Sequence, residues 1–168
     1  MKINIASNEV IHFIGIGGIG MSGLAQIMYN MGFTIQGSDL NKNKNTERLI
    51  KKGITVYFGH NQKNVKQATM IVISSAIKKN NEELVASKKK KLPIFKRGVM
   101  LANIVALKKN IVITGSHGKT TTTSLVANIL VEAGLDPTVI NGGVINSLKN
   151  NAQLGRGEWA VIESDESD

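Results

Sequence analysis

Lys119 and Thr120 fall within the run Ile111–Thr123, which reads IVITGSHGKTTTT. Apolar Ile111, Val112 and Ile113 predict a strand, Gly115-Ser116-His117-Gly118 a turn, and Lys119-Thr120 the opening of a helix. A strand, turn and helix in that order aim backbone N–H groups and the positive end of a helix dipole at an anion. Lys119 would add a mobile positive charge for the β- and γ-phosphates of a nucleotide, and the Thr120 hydroxyl would hold Mg²⁺. The general phosphate-loop pattern would put its first glycine at position 113, where Ile113 stands. The loop is therefore the shorter G-x-x-G-K-T form.

A second glycine loop lies near the other end of the chain. Gly15-Ile16-Gly17-Gly18-Ile19-Gly20 satisfies G-x-G-x-x-G between an expected strand and helix, and Asp39 ends the following strand at the spacing of a ribose ligand. Taken alone, this predicts a dinucleotide site and a dehydrogenase. The motif itself promises only a diphosphate on a helix N-terminus with a carboxylate near a ribose, which any nucleoside diphosphate sugar satisfies equally. Two cradles in tandem narrow the choice, because a dehydrogenase has no need of a second loop carrying Lys and Thr. An ATP-using enzyme acting on a nucleotide-linked substrate needs both.

The third chemical feature is acidic: Glu163-Ser164-Asp165-Glu166-Ser167-Asp168 follows the apolar Trp159–Ile162. A carboxylate ending a strand beside the phosphate-loop strand is where a Mg²⁺ ligand belongs, since the ion takes oxygen ligands and phosphate oxygens together. Glu163 is the first candidate and Glu166 the second.

These residues need a scaffold, and the chain alternates strand and helix almost throughout, which predicts parallel sheets covered by helices. Val10–Ile14 reads as a strand and Met21–Met31 as a helix, with Met21, Leu24, Ala25, Met28 and Met31 at helical spacing and Gly32 as its stop. Phe33–Ser38 is a strand, Thr46–Lys52 a short helix closed by Gly53, and Ile54–Phe58 and Met70–Ser74 are strands. Asn81–Lys91 is a helix capped by Asn81, and Arg97–Leu107 another. The pattern then restarts with a strand over Asn110–Thr114, a helix over Lys119–Ala133 stopped by Gly134, and strands at Thr138–Ile140 and Trp159–Glu163. The expected division is a Rossmann-like domain over 1–107 and the start of a P-loop ATP-binding α/β domain over 108–168. The second region holds few elements for a parallel sheet covered on both faces, so the expectation is an N-terminal fragment of a longer enzyme.

Composition sets outer bounds. The 168 residues are 42% hydrophobic but only 4% aromatic, so the core must be built from Ile, Val, Leu, Met and Ala. The absence of cysteine excludes disulfides, thiolate metal sites and a cysteine nucleophile. Met1–Glu9 is polar and no apolar run approaches membrane-spanning length, so a cytoplasmic location without a membrane partner is expected. The net charge of +9 suits an anionic partner. Lys88–Lys91, the densest basic run, ends an expected helix where lysines suit the dipole, and no aromatics interleave it, so nucleic acid is not expected.

The chain resembles the Mur ligase family in three segments. These are His12–Ala25 (HFIGIGGIGMSGLA) running on to Gly37-Ser38-Asp39; Ser74-Ser75-Ala76-Ile77 with Arg97-Gly98-Val99-Met100-Leu101; and Thr114–Thr123 with Asn141-Gly142-Gly143 and the Glu163–Asp168 run. They span nearly the whole chain in the expected order. The first is the most discriminating, since sibling ligases share the phosphate loop but not GIGGIGMSG. Ser116 departs from the threonine usual in the family, a mild change.

The resemblance implies a three-domain enzyme, of which this chain holds the first domain and the opening of the second and would be inactive alone. It implies that L-alanine is joined to the lactyl carboxylate of UDP-N-acetylmuramate in peptidoglycan synthesis, with ATP and Mg²⁺, by way of an acyl phosphate. Gly115, Ser116, His117, Gly118, Lys119, Thr120 and Thr121 would bind ATP, His117 mainly through its backbone. Lys119, Thr120 and Glu163 would carry the chemistry, and Thr120 and Glu163 would hold the metal. Gly15, Gly17, Gly18, Ile19 and Gly20, with Met21 and Ser22, would cradle the UDP diphosphate. Asp39 would contact the nucleoside, while Ser74, Ser75, Ala76 and Arg97 would line the same crevice. His60 is a lone loop histidine that suits a structural role equally. The alternatives are an NAD-dependent oxidoreductase, which predicts NAD(H) binding and no use for Lys119, and a non-catalytic UDP-sugar-binding module. The sibling that recycles murein tripeptide is disfavoured by the first loop.

Overall fold

In the computed structural model, which describes residues 8–141 and 152–164, apolar Val10–Ile14 forms β1 at the centre of a five-stranded sheet. The other strands are β2 (Thr34–Asp39), β3 (Thr55–Phe58), β4 (Met70–Ile73) and β5 (Ile94–Lys96). Their order is β3-β2-β1-β4-β5 and every pairing is parallel. The order reverses at β1, and the carboxyl ends of strands at such a switch point form the ligand crevice of open α/β sheets. The glycine loop leaves β1 at that point.

Three helices accompany this sheet, α1 (Ile19–Asn30), α2 (Lys44–Lys51) and α3 (Glu82–Lys89), with a 3₁₀ turn at Gln62–Val65; α4 (Arg97–Ala106) follows β5 in the chain. α1 begins two positions earlier than the apolar periodicity predicts, so Gly20 lies in its first turn and not in the loop. α2 likewise starts at Lys44, because Asn43 forms a reciprocal capping box with Thr46. Ile14, Val65, Ala68, Ile71 and Leu84 bury one another between the sheet and α3. On the loop side, Gly37 is held to a bare backbone. A Cβ there would stand 2.6 Å from Ile16 Cδ1 and 2.7 Å from the Phe13 carbonyl, so its absence lets the loop lie on β2.

The chain divides into two compact units, Met1–Met100 and Leu101–Asp168. In the second, β6 (Lys109–Ile113), α5 (Lys119–Glu132), β7 (Thr138–Ile140), β8 (Ala152–Gln153) and β9 (Trp159–Glu163) build a sheet of order β6-β9-β7-β8. β6, β9 and β7 are parallel, whereas the two-residue β8 runs antiparallel to β7. β8 and β5 carry no alternation long enough to announce themselves in the sequence and are the strands missed there. Lys108 belongs to this unit through its ammonium, which donates to the carbonyls of Gly155 and Gly157. Burial lowers its pKa, against the attraction of Asp136. α5 buries Thr123 and Ala127 but leaves Leu125 and Ile129 exposed. Among the described residues, no helix is long and apolar enough to cross a membrane.

Candidate nucleotide sites

The first glycine loop is held by its own chain ends before any ligand is considered. The N–H groups of Gly15 and Ile16 both donate to the Ser38 carbonyl, at 2.8 and 2.9 Å. The Gly17 N–H donates to Asp39 Oδ2 at 2.8 Å, and Asn41 N–H donates to Oδ1 of the same carboxylate. From α2, the side-chain amides of Asn43 and Asn45 donate to the Gly17 carbonyl at 3.3 and 2.9 Å. With the Gly18 N–H donating to the Gly15 carbonyl at 3.4 Å, four successive amides are engaged internally. The amides of Ile19, Gly20 and Met21 start α1 and lack intrahelical acceptors, so the donors open to an anion lie in the first turn of the helix.

This geometry divides the expected residues by role. Gly15, Gly17 and Gly18 shape the loop, the Gly18 N–H turning back to the Gly15 carbonyl, while Ile19, Gly20 and Met21 leave first-turn donors open. Ser22, fully buried, turns its hydroxyl back onto the Ile19 carbonyl at 3.0 Å. Asp39 is a fastener of the loop through Gly17, a task the spacing rule does not anticipate. Arg97 lies against the same turn: a Cβ on Gly20 would come within 2.5 Å of Arg97 Nη1. Ser74 borders the loop from β4, with its Cβ 3.2 Å from where a Gly15 Cβ would stand, and Ser75 and Ala76 are exposed beyond it. His60 is turned away from the loop into a polar cluster around Glu83.

Asn43 and Asn45 were not singled out from the sequence. The Asn43-x-x-Thr46 spacing is a readable cap signal, but that the capping asparagine also reaches Gly17 is a tertiary fact.

The second loop follows β6. Residues 114–118 are exposed, and Gly118 caps α5 at φ 77, the left-handed region where a Cβ is strained. The amides of Lys119, Thr120 and Thr121 form the first turn of α5 and point into the loop. Lys119 Nζ donates to the Gly115 carbonyl at 2.7 Å, so the ammonium lies over the loop and its backbone. Thr120 Oγ1 sits 3.1 and 3.2 Å from the two oxygens of Glu163. β9 delivers that carboxylate because it pairs directly with β6, with Glu163 in register with Ile113. A hydroxyl and a nearly buried carboxylate at that distance are hard oxygen donors of the kind Mg²⁺ takes. The residues present therefore fit the ion. Glu166, the second carboxylate candidate, lies outside the described residues, as do Gly142 and Gly143. Among the described residues, no group of three or more His, Cys, Asp or Glu gathers as a metal cluster.

Fold and site together define an α/β protein with two glycine loops in tandem, each opening a helix, the second paired with a carboxylate. Residues 10–109 match the family described as "Mur ligase family, catalytic domain", and residues 113–163 match "Mur ligase middle domain". The chain belongs to the Mur ligase family. It is 63% identical over 168 residues, 100% of this chain and 36% of the relative, to the UDP-N-acetylmuramate–L-alanine ligase of Pelagibacter ubique (strain HTCC1062). Among solved structures it is similar to the UDP-N-acetylmuramate–alanine ligase of Thermotoga maritima (TM-score 0.67, 35% identity, 94% of this chain and 37% of that one). It is also similar to the UDP-N-acetylmuramate:L-alanyl-gamma-D-glutamyl-meso-diaminopimelate ligase of Neisseria meningitides (TM-score 0.67, 32% identity, 95% of this chain and 53% of that one). The chain spans about a third of the length of the curated relatives it matches.

Proposed function

We propose that the chain carries the nucleotide sites of an ATP-dependent ligase that joins L-alanine to the carboxylate of UDP-N-acetylmuramate through an acyl phosphate, in peptidoglycan synthesis in the cytoplasm. The observation that carries this reading is the Thr120–Glu163 contact behind a lysine-bearing loop. A nicotinamide oxidoreductase would use the first loop and have no role for that constellation. The 63% identity to an alanine ligase supports this member of the family over the murein-peptide sibling.

In this reading the first-turn amides of α1 and the Arg97 guanidinium bind the UDP diphosphate, and Asp39 keeps the loop in shape beside the nucleoside. Ser74, Ser75 and Ala76 border the crevice. Gly115, Ser116, His117, Gly118 and the amides of Lys119, Thr120 and Thr121 wrap the ATP phosphates. Lys119 moves from the Gly115 carbonyl to the β- and γ-phosphates and neutralises charge as the phosphoryl group passes to the substrate carboxylate. Thr120 and Glu163 would hold Mg²⁺, which when bound supplies further charge neutralisation on the phosphate oxygens. L-Alanine then displaces phosphate from the acyl phosphate. The alanine site is assigned to no residue of this chain. The domain boundary is proposed between Leu107 and Lys108, since Lys108 and Lys109 are bonded into the second sheet.

The test is calorimetric titration of this chain with ATP and Mg²⁺, and separately with UDP-N-acetylmuramate, in wild type and Lys119→Ala. The reading predicts that Lys119→Ala removes the ATP heat and leaves the sugar-nucleotide heat intact. Loss of both together, or of neither, would contradict the assignment of two independent cradles.

A further inference from the structure

Behind the first loop, on the sheet face that carries α3, lies a polar cluster that phosphate binding does not use. Its centre is Glu83, fully buried in the first turn of α3, where the helix N-terminus favours a negative charge. Glu83 Oε2 accepts from Ser38 Oγ at 2.5 Å and lies 3.0 Å from His60 Nδ1, while Oε1 accepts from Asn64 Nδ2 at 2.6 Å.

The protons around this carboxylate follow from one backbone group. Gln36 Nε2 lies 2.9 Å from the Asn64 carbonyl, which can only accept, so the Gln36 amide orientation is fixed. The 3.2 Å contact of the same Nε2 to His12 Nδ1 is then also a donation, which puts the His12 proton on Nε2. That N–H faces Glu83 Oε2 at 3.6 Å. Burial pushes the carboxyl pKa up, but the nearby His12 ring and the hydrogen bonds from Ser38 and Asn64 outweigh it and hold Glu83 at about 2. Glu83 is therefore an ionised acceptor, and the titratable side chains that face it among the described residues are His12 and His60.

Ser38 connects this cluster to the loop. Its hydroxyl is taken by Glu83, and its carbonyl receives the N–H groups of both Gly15 and Ile16. We propose that Glu83 is a positioning residue for the glycine loop: through Ser38 it fixes the end of β2 on which the loop hangs, and so keeps the first-turn amides of α1 aimed at the diphosphate of a sugar nucleotide. The ligand rests on the reading given under Proposed function; the effect on the loop does not.

The test uses Glu83→Gln, Ser38→Ala and the double variant of this chain. Amide hydrogen exchange without ligand is read at Gly15 and Ile16, with Ile71 and Val72 of β4 as internal reference. Calorimetry gives the affinity for UDP-N-acetylmuramate. Each single variant should speed exchange at Gly15 and Ile16 about tenfold relative to β4, and weaken the sugar nucleotide about tenfold. The double variant should be no worse than the poorer single one, because both break the same link. Unchanged relative exchange at Gly15 and Ile16 in Glu83→Gln would overturn the proposal and leave Glu83 an ordinary core residue. If Glu83→Gln does not fold, Ser38→Ala decides on the same criterion, because it keeps the carbonyl and loses only the hydroxyl's contacts to Glu83 and His60. If the wild type ignores the sugar nucleotide, the ligand assignment fails while the exchange result still decides the positioning role.

Discussion

Thr120 Oγ1 touches both carboxylate oxygens of Glu163, at 3.1 and 3.2 Å, across 43 residues of chain. The contact exists because β6 and β9 are hydrogen-bonded neighbours, so the start of α5 and the end of β9 emerge on the same edge of the sheet. In Glu163→Gln the shape is kept, but one oxygen ligand and the charge are lost. The affinity for ATP in the presence of Mg²⁺ should fall about tenfold or more, the scale of a lost interaction with a charged group. The affinity in EDTA should change little. Equal losses in titrations with and without the metal would contradict a metal-holding role.

The two helix-capping glycines should behave oppositely. Gly118 stands at φ 77, so Gly118→Ala should cost about 1–2 kcal/mol of left-handed strain. That corresponds to a melting midpoint lower by roughly 2–8 °C. Gly18 sits at φ −62 with only ordinary contacts around a built Cβ, so Gly18→Ala should leave the midpoint near wild type. Paired thermal melts check both; equal shifts would show that the second loop does not hold the conformation described.

Glu83 predicts the acid limb of stability. Its folded pKa of about 2 lies below the ordinary 4.5. The ionised form therefore contributes stability that is fully present above pH 4.5 and is lost as pH falls toward 2. The difference amounts to on the order of 3 kcal/mol. Urea unfolding followed from pH 6 downward should show this slope in wild type, and Glu83→Gln should flatten it. A parallel slope in the variant would assign the acid sensitivity to other carboxylates.

What the sequence disclosed and what it hid differ in range. Strand β1, the restart at β6 and both glycine loops are local patterns: an apolar run, a turn signal and a helix start within a few residues. Glu163 was reachable too, because a carboxylate ending an apolar strand has few other uses. Asp39 was legible from its spacing to the glycine loop, but its bond to the Gly17 N–H is a tertiary contact that the spacing does not announce. Glu83 stands in the first turn of α3, where any carboxylate suits a helix N-terminus. That it turns inward and meets Ser38, 45 positions earlier, depends on how α3 packs on the sheet, which no local spacing encodes. Short β5 and β8 were missed because three and two residues give a periodicity nothing to repeat.

The central claim is that the first loop takes a UDP-sugar, and calorimetric titration of this chain with UDP-N-acetylmuramate, with NADH in parallel, tests it most directly. Gly18→Asp serves as the control: the backbone admits a side chain there, while its carboxylate would face the bound diphosphate. A UDP-sugar site gives saturable heat with the UDP-sugar, loss of that heat in Gly18→Asp, and none with NADH. Saturable NADH binding with silence from the UDP-sugar would contradict it.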